Sequence, residues 1–231
     1  MKLCFGLLLT LLMVATVSFG STELVMGSSS SAAFFGLEVK IYKALSDRLP
    51  NINFKVVHLP LKRSLFMANR GELDGDAGRV SEIKRIYSVP NVIVISEPIL
   101  ELGLYVVRRK DSYPVVSLNE LKRFNISFLR GMILLEHVLG SKKAYLVNDA
   151  SDGLRVLRAG RIDYYIIDGI KKPPSRPEFE GLIVDPKPIK EILLHPVLHD
   201  SHKDKAAAIT KAIANMRLDG SLAKIIEQSS L

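Results

Sequence analysis

The sequence predicts an α/β fold in two similar units, with mixed, mainly parallel sheets and a ligand cleft between the units. Three observations point there. Short Val- and Ile-rich runs alternate with amphipathic helical stretches from Ser21 onward, the pattern of strands joined by helices. One junction occurs twice, as Ala68-Asn69-Arg70-Gly71-Glu72-Leu73-Asp74 and as Arg158-Ala159-Gly160-Arg161-Ile162-Asp163. Both read helix, Gly, then Asp at the entry to a strand. Helix–Gly–strand junctions are common, so coincidence competes with a repeated unit. Finally, 231 residues with 48% hydrophobic and 24% charged side chains and a single Cys are too apolar for disorder and too poor in Cys for a disulfide scaffold.

Residues 1–20 stand apart. Lys2 gives a positive start, Leu3 to Val17 an apolar run, and Ser18-Phe19-Gly20 a small-x-small site. This is the layout of a cleaved signal peptide; a membrane anchor is the competing reading. Cys4 lies ahead of the apolar core, too early for lipid attachment, and leaves with the leader. The remaining chain has no Cys, 31 basic against 24 acidic residues once Lys2 is removed, and no run long enough to span a bilayer. A protein that is soluble and outside the cytoplasm, without stable membrane insertion after cleavage, is expected.

Along the remaining chain, Glu23–Met26 reads as a strand and Gly27–Ser31 as a turn. Gly36–Leu49 has helical spacing at Leu37, Ile41, Ala44 and Leu45 and stops at Pro50. Ile52–His58 alternates as a strand, Leu61–Asn69 is helical, and Leu73–Ala77, Asn91–Ser96 and Leu102–Arg108 are strands. A second series follows: strand Asn125–Leu129, helix Met132–Leu139, strand Ala144–Val147, helix Ser151–Arg158 and strand Ile162–Ile167. Lys171–Pro177 is a Pro-rich loop, Leu182–Val184 and Glu191–Leu194 are strands, and Asp200–Arg217 and Ser221–Gln228 close the chain as helices.

In open α/β sheets ligands bind at the carboxyl ends of strands. Five residues past each junction Asp stand Arg79 and Asp168. A cation and an anion at equivalent positions facing one cleft would suit a zwitterion. Asp168 follows the apolar Tyr164–Ile167 run, where a carboxylate is costly unless paired; a turn Asp before Gly169 is the plainer account. Asp74 and Asp163 read as structural turn carboxylates, and Asp76 as a group able to orient Arg79. Arg63 sits at a helix start near the expected cleft; a solvated side chain is its alternative. Ser28–Ser31, Ser30 included, offers hydroxyls and N–H groups ahead of a helix, either as an anion cradle or as a polar connector.

His195, His199 and His202 fall at near-helical spacing, but Pro196 disfavours a helix there and no further ligands complete a metal site. His199-Asp-Ser-His202 reads instead as a capped helix start. No metal and no cofactor are expected. The motifs G-x-S-x-G, H-E-x-x-H and G-x-x-x-x-G-K are absent. Lys and Arg are scattered and aromatics make up 7%, which argues against nucleic acid.

Several stretches together resemble family 3 extracellular solute-binding proteins, the type II periplasmic binding fold of amino-acid-binding proteins. They are Gly36–Leu45, Gly71-Glu-Leu-Asp74, Gly78 through Arg85 with Ser96-Glu97-Pro98-Ile99, Gly160-Arg-Ile-Asp163 through Asp168, and Ala212 to Ile225 with its Met216-Arg-Leu-Asp-Gly220 core. The resemblance implies two lobes, residues 21–106 plus 192–231 and residues 107–191, hinged near Leu102–Arg109 and Ile189–His195. It implies a small carboxylated, amino-acid-like solute, captured without catalysis for an ABC permease or a sensor kinase.

The same resemblance sets Arg85 against the ligand carboxylate, with Arg79 beside it. Both suit bidentate recognition, although Lys84 lies alongside and Arg85 could face outward from a short helix. Asp168 matches the position that binds the ligand ammonium. Gly131-Met132 stands where the family has Gly-Thr. Ala32 replaces the stacking aromatic, for which Phe34 or Phe35 would substitute. Two other functions stay open: an exported lyase- or dehydratase-like enzyme with Asp168, Glu97 or Tyr165 as its acid or base, and a degenerate lobe pair used for protein contact.

Overall fold

The structure, a computed structural model, describes residues 21–28, 32–140, 144–170 and 172–229. The leader and Ser30 lie outside the described residues. Among the described residues no helix is long and apolar enough to cross a membrane.

Ten strands form one sheet. They are β1 (Thr22–Ser28), β2 (Ile52–His58), β3 (Gly75–Val80), β4 (Val92–Val94), β5 (Leu100–Arg109), β6 (Ile126–Leu129), β7 (Ala144–Val147), β8 (Tyr164–Gly169), β9 (Leu182–Val184) and β10 (Lys190–His199). The order is β2-β1-β3-β10-β5-β8-β6-β7, with β4 on β10 and β9 on β5. Parallel pairing is confined to the two ends, where β1 lies between β2 and β3 and β6 between β7 and β8. The middle is antiparallel: β10 pairs with β3, β4 and β5, and β5 with β8 and β9. The two expected lobe boundaries fall inside β5 and β10, whose pairing runs from Lys190↔Leu104 to Leu194↔Leu100.

The helices are α1 (Ala32–Arg48), α2 (Leu61–Asn69), α3 (Ile83–Ile86), α4 (Leu118–Leu121), α5 (Ile133–Leu135), α6 (Ala150–Arg158), α7 (Ala206–Leu218) and α8 (Ser221–Glu227). Four differences from the sequence expectations have physical causes. Helix α1 runs through exposed Gly36, which costs a helix only about 1 kcal/mol and meets no crowding there. The helix expected over Met132–Leu139 is a single α-turn followed by a π-turn over Glu136–Gly140, where Glu136 bends back to Gly131. The strand expected at Glu191–Leu194 continues to His199, with a register shift between His195 and Val197 because Pro196 brings no N–H to the ladder. The helix expected from Asp200 opens as a 3₁₀ turn over Asp200–Lys205, capped by the His199 side chain, before α7 begins.

Strand β5 shows why the sheet is buried on both faces. Leu104 and Val106 enter one apolar cluster with Phe128, Leu135 and Ile166. Tyr105 and Val107 enter another with Leu154, Leu157 and Tyr165. The alternation is that of a strand, and covering both faces requires a continuous apolar run. At the other end of the sheet Leu24, Met26, Leu37, Ile41, Ile209 and Ile213 make the main core.

The repeated junction is also a repeated structure. Gly71 and Gly160 both have positive φ, 71° and 69°, the helix-ending conformation that glycine adopts without strain. Asp74 donates its N–H to the Val25 carbonyl (3.0 Å) and its Oδ2 accepts the Val25 N–H (2.7 Å). Asp163 does the same with Asn125, at 2.7 and 2.8 Å. Each carboxylate thus ties the incoming strand to its parallel neighbour.

Candidate functional site

Because the junctions match, the strands that follow them end in matching places. Arg79 lies near the end of β3 and Asp168 near the end of β8, and both line one cavity of about 120 Å³. Phe34, Gly131 and Met132 line it too. The structure therefore brings Arg79, Asp168, Phe34, Gly131 and Met132 together. The walls between them are apolar: Leu61 and Ile83 on the Arg79 side, Leu129 and Leu134 on the Asp168 side, and Leu102 and Ile192 on the central strands.

Arg85 and Arg63 are not in this cavity. Both are exposed, on α3 and α2 respectively, and the outward orientation left open for Arg85 is the one found. Ile83, two residues before Arg85, is fully buried and fixes which face of the turn points inward.

Arg79 is 4% exposed and held from two sides. Its Nη2 donates to Asp76 Oδ2 (2.6 Å) and to the Leu61 carbonyl (2.7 Å). Asp76, also buried, accepts from Ser64 Oγ (2.5 Å) and from the Gly78 N–H (3.2 Å). Asp76 therefore orients Arg79, as the sequence suggested it could. Yet the Arg79 Nε is buried with no acceptor among the described residues. A buried donor left unpaired costs about 1–3 kcal/mol, so an acceptor arriving in the cavity would be rewarded.

Asp168 forms no ion pair among the described residues. Burial pushes its carboxyl above the usual range, with its own backbone N–H and Arg176 opposing part of that rise. It also borders a second space, of about 330 Å³, that reaches Lys172 and Arg176 and shares Phe34 with the first.

Glu136, Lys62, Tyr87 and Ile133, which the sequence did not single out, complete the setting. Glu136 is buried and accepts from Lys62 Nζ (2.6 Å), from the Gly131 N–H (2.7 Å) and from the Tyr87 hydroxyl (3.3 Å). Burial alone would raise its carboxyl; Lys62 and Gly131 outweigh that and hold it below the usual range. Lys62 also lies 5.9 Å from the Tyr87 ring centroid, and the Glu136 bond raises its pKa against the opposing effect of burial. A lone carboxylate inside the apolar Ile133–Leu139 run was the available signal for Glu136. Met132 and Ile133 add apolar bulk at the place where the resemblance expects a hydroxyl. Ile133 packs with Leu65, Ile83 and Val197 from the far side of the cavity.

No family model and no curated protein sequence matches the chain. Solved structures do. A histidine kinase sensor domain with similarity to periplasmic binding proteins superposes with a TM-score of 0.73 at 16% identity, covering 91% of this chain and 96% of that one. The chain has the two-lobed periplasmic-binding-protein fold. An ancestral arginine-binding protein bound to glutamine gives 0.68 at 19% identity over 90% and 97% of the two chains. The ancestral amino-acid-binding protein AncCDT-1, a precursor of cyclohexadienyl dehydratase, gives 0.67 at 16% identity over 90% and 94%. The long strands β5 and β10 pair antiparallel in the middle of the sheet, and the cavity has Arg79 on one wall and Asp168 on the other.

Proposed function

We propose that this protein is a non-catalytic periplasmic solute-binding protein for a small carboxylated, amino-acid-like solute with a largely apolar body. The observation that carries this reading is the opposition of Arg79, whose buried Nε has no acceptor among the described residues, to Asp168, which forms no ion pair among them, across a small apolar cavity. The ligand carboxylate meets Arg79, its ammonium or other donor meets Asp168, and its side chain packs against Leu61, Phe34 and Met132. Lobe one is residues 21–106 with 192–231 and lobe two is residues 107–191, so that Arg79 and Asp168 belong to different lobes. Closure about β5 and β10 buries the solute and presents a changed surface to an ABC permease or a sensor kinase. Residues 1–20 act as the cleaved export signal, and the mature protein is a monomer.

A thermal-shift screen of amino acids, monocarboxylates and dicarboxylates, run at low and high salt and followed by NMR of any hit, tests this reading. A carboxylated hit that stabilises in proportion to its concentration and stays chemically unchanged is the expected result. A hit that is turned over makes the protein an exported enzyme. A screen with no hit favours a lobe pair used only for protein contact.

A further inference from the structure

We propose that Glu136 is a built-in latch: its carboxylate, reaching from lobe two to Lys62 and Tyr87 of lobe one, holds the cleft shut when no solute is bound. This does not depend on which solute the cavity takes. The three bonds to Glu136 come from different places. The Gly131 N–H (2.7 Å) fixes the carboxylate on its own lobe, while Lys62 Nζ (2.6 Å) and the Tyr87 hydroxyl (3.3 Å) come from the opposite side.

Burial is unequal. The Glu136 side chain is 6% exposed and that of Lys62 is 42% exposed. A carboxylate so sheltered is tolerated only while its partners are in place. Separating the lobes would let water solvate it instead, so without Lys62 and Tyr87 the closed arrangement would hold an uncompensated buried charge. Lys62, by contrast, can leave without opening a hole in the core.

The apolar contacts around the latch act in the same sense. Ile133 enters the cluster made by Leu65, Ile83 and Val197, and Leu61 packs so closely on Gly131 that a Cβ there would lie 2.5 Å from the Leu61 Cβ. The residues flanking the latch, Leu61 and Leu135, line the cavity, so opening the latch opens the cavity's rim. A solute must bind to a population that is mostly shut, and the latch sets how much of its intrinsic affinity is seen.

The test uses chain 21–231, which lacks Cys. Lys55→Cys and Tyr145→Cys, on the strands at the two edges of the sheet, carry a dye pair for single-molecule energy transfer. Without added solute the labelled protein is expected to show one dominant high-transfer population. Lys62→Met is expected to lower the closed-to-open ratio by about tenfold or more with an unchanged circular dichroism spectrum, and Lys62→Arg to keep the parent distribution. Glu136→Gln should open the cleft in the same way. Should it fail to fold, Lys62→Met decides, since Lys62 is a surface residue. A parent protein that is mainly open, or a Lys62→Met distribution equal to the parent's, overturns the proposal.

Discussion

Arg79→Ala is expected to destabilise the protein by about 3–5 kcal/mol, the cost of leaving a buried charge without its partner. For a chain of this size that corresponds to a Tm lowered by on the order of 10 °C. The cost falls on Asp76, whose side chain is 1% exposed and whose pairing with Arg79 Nη2 is the only ion pair it makes among the described residues. Ser64 and the Gly78 N–H remain as its hydrogen-bond donors, but neither carries charge. The wild type gains little net energy from burying such a pair; the loss arises because one half is removed. Arg79→Met combined with Asp76→Leu should therefore lie well above Arg79→Ala in denaturant unfolding. Equal destabilisation of the single and double variants would show that the pair is not what matters. For the same reason Arg79→Ala is a poor probe of ligand binding, and Arg79→Lys, which keeps a cation beside Asp76, is the better one.

Gly131→Ala is expected to cost about 1–3 kcal/mol through overpacking and about 1 kcal/mol more through its backbone. Gly131 has φ of 93°, a conformation that side chains other than glycine's adopt at a cost, and its missing Cβ would lie 2.5 Å from the Leu61 Cβ. These two causes can be separated. Leu61→Ala removes most of the leucine side chain but keeps its Cβ, so the relief must come from α2 shifting once the branched end is gone. The double variant should then regain part of the overpacking term and none of the backbone term, giving a non-additive cycle. Strict additivity in unfolding measurements would place the strain elsewhere.

Much of this was legible in the sequence because it depends on local pattern. Alternation marked Ile52–His58 as a strand and short apolar runs marked Ala144–Val147 and Leu182–Val184, and the structure reproduces all three to the residue. The twin Gly…Asp junctions placed Arg79 and Asp168 at matching strand ends, and the structure puts both on one cavity. What was not legible depends on distant partners. Whether Arg79 or Arg85 faces inward turns on the burial of Ile83 in a four-residue helix. That Glu136 would be buried depends on Lys62 and Tyr87, which lie far away in the chain. The capped start at His199 was legible, but its 3₁₀ form and the reach of His202 to Asp74 at 2.6 Å were not, since a helical periodicity does not contain them.

In the proposed function Arg79 and Asp168 grip opposite ends of one solute. Its most direct test is a calorimetric titration of Asp168→Asn with the first amino-acid-like solute that stabilises the wild type. The replacement keeps the size of the side chain and removes the charge that a ligand ammonium would meet. A native-like fold and binding weakened by roughly tenfold or more are expected, since a charged hydrogen bond loses its anion. An affinity equal to that of the wild type would contradict it.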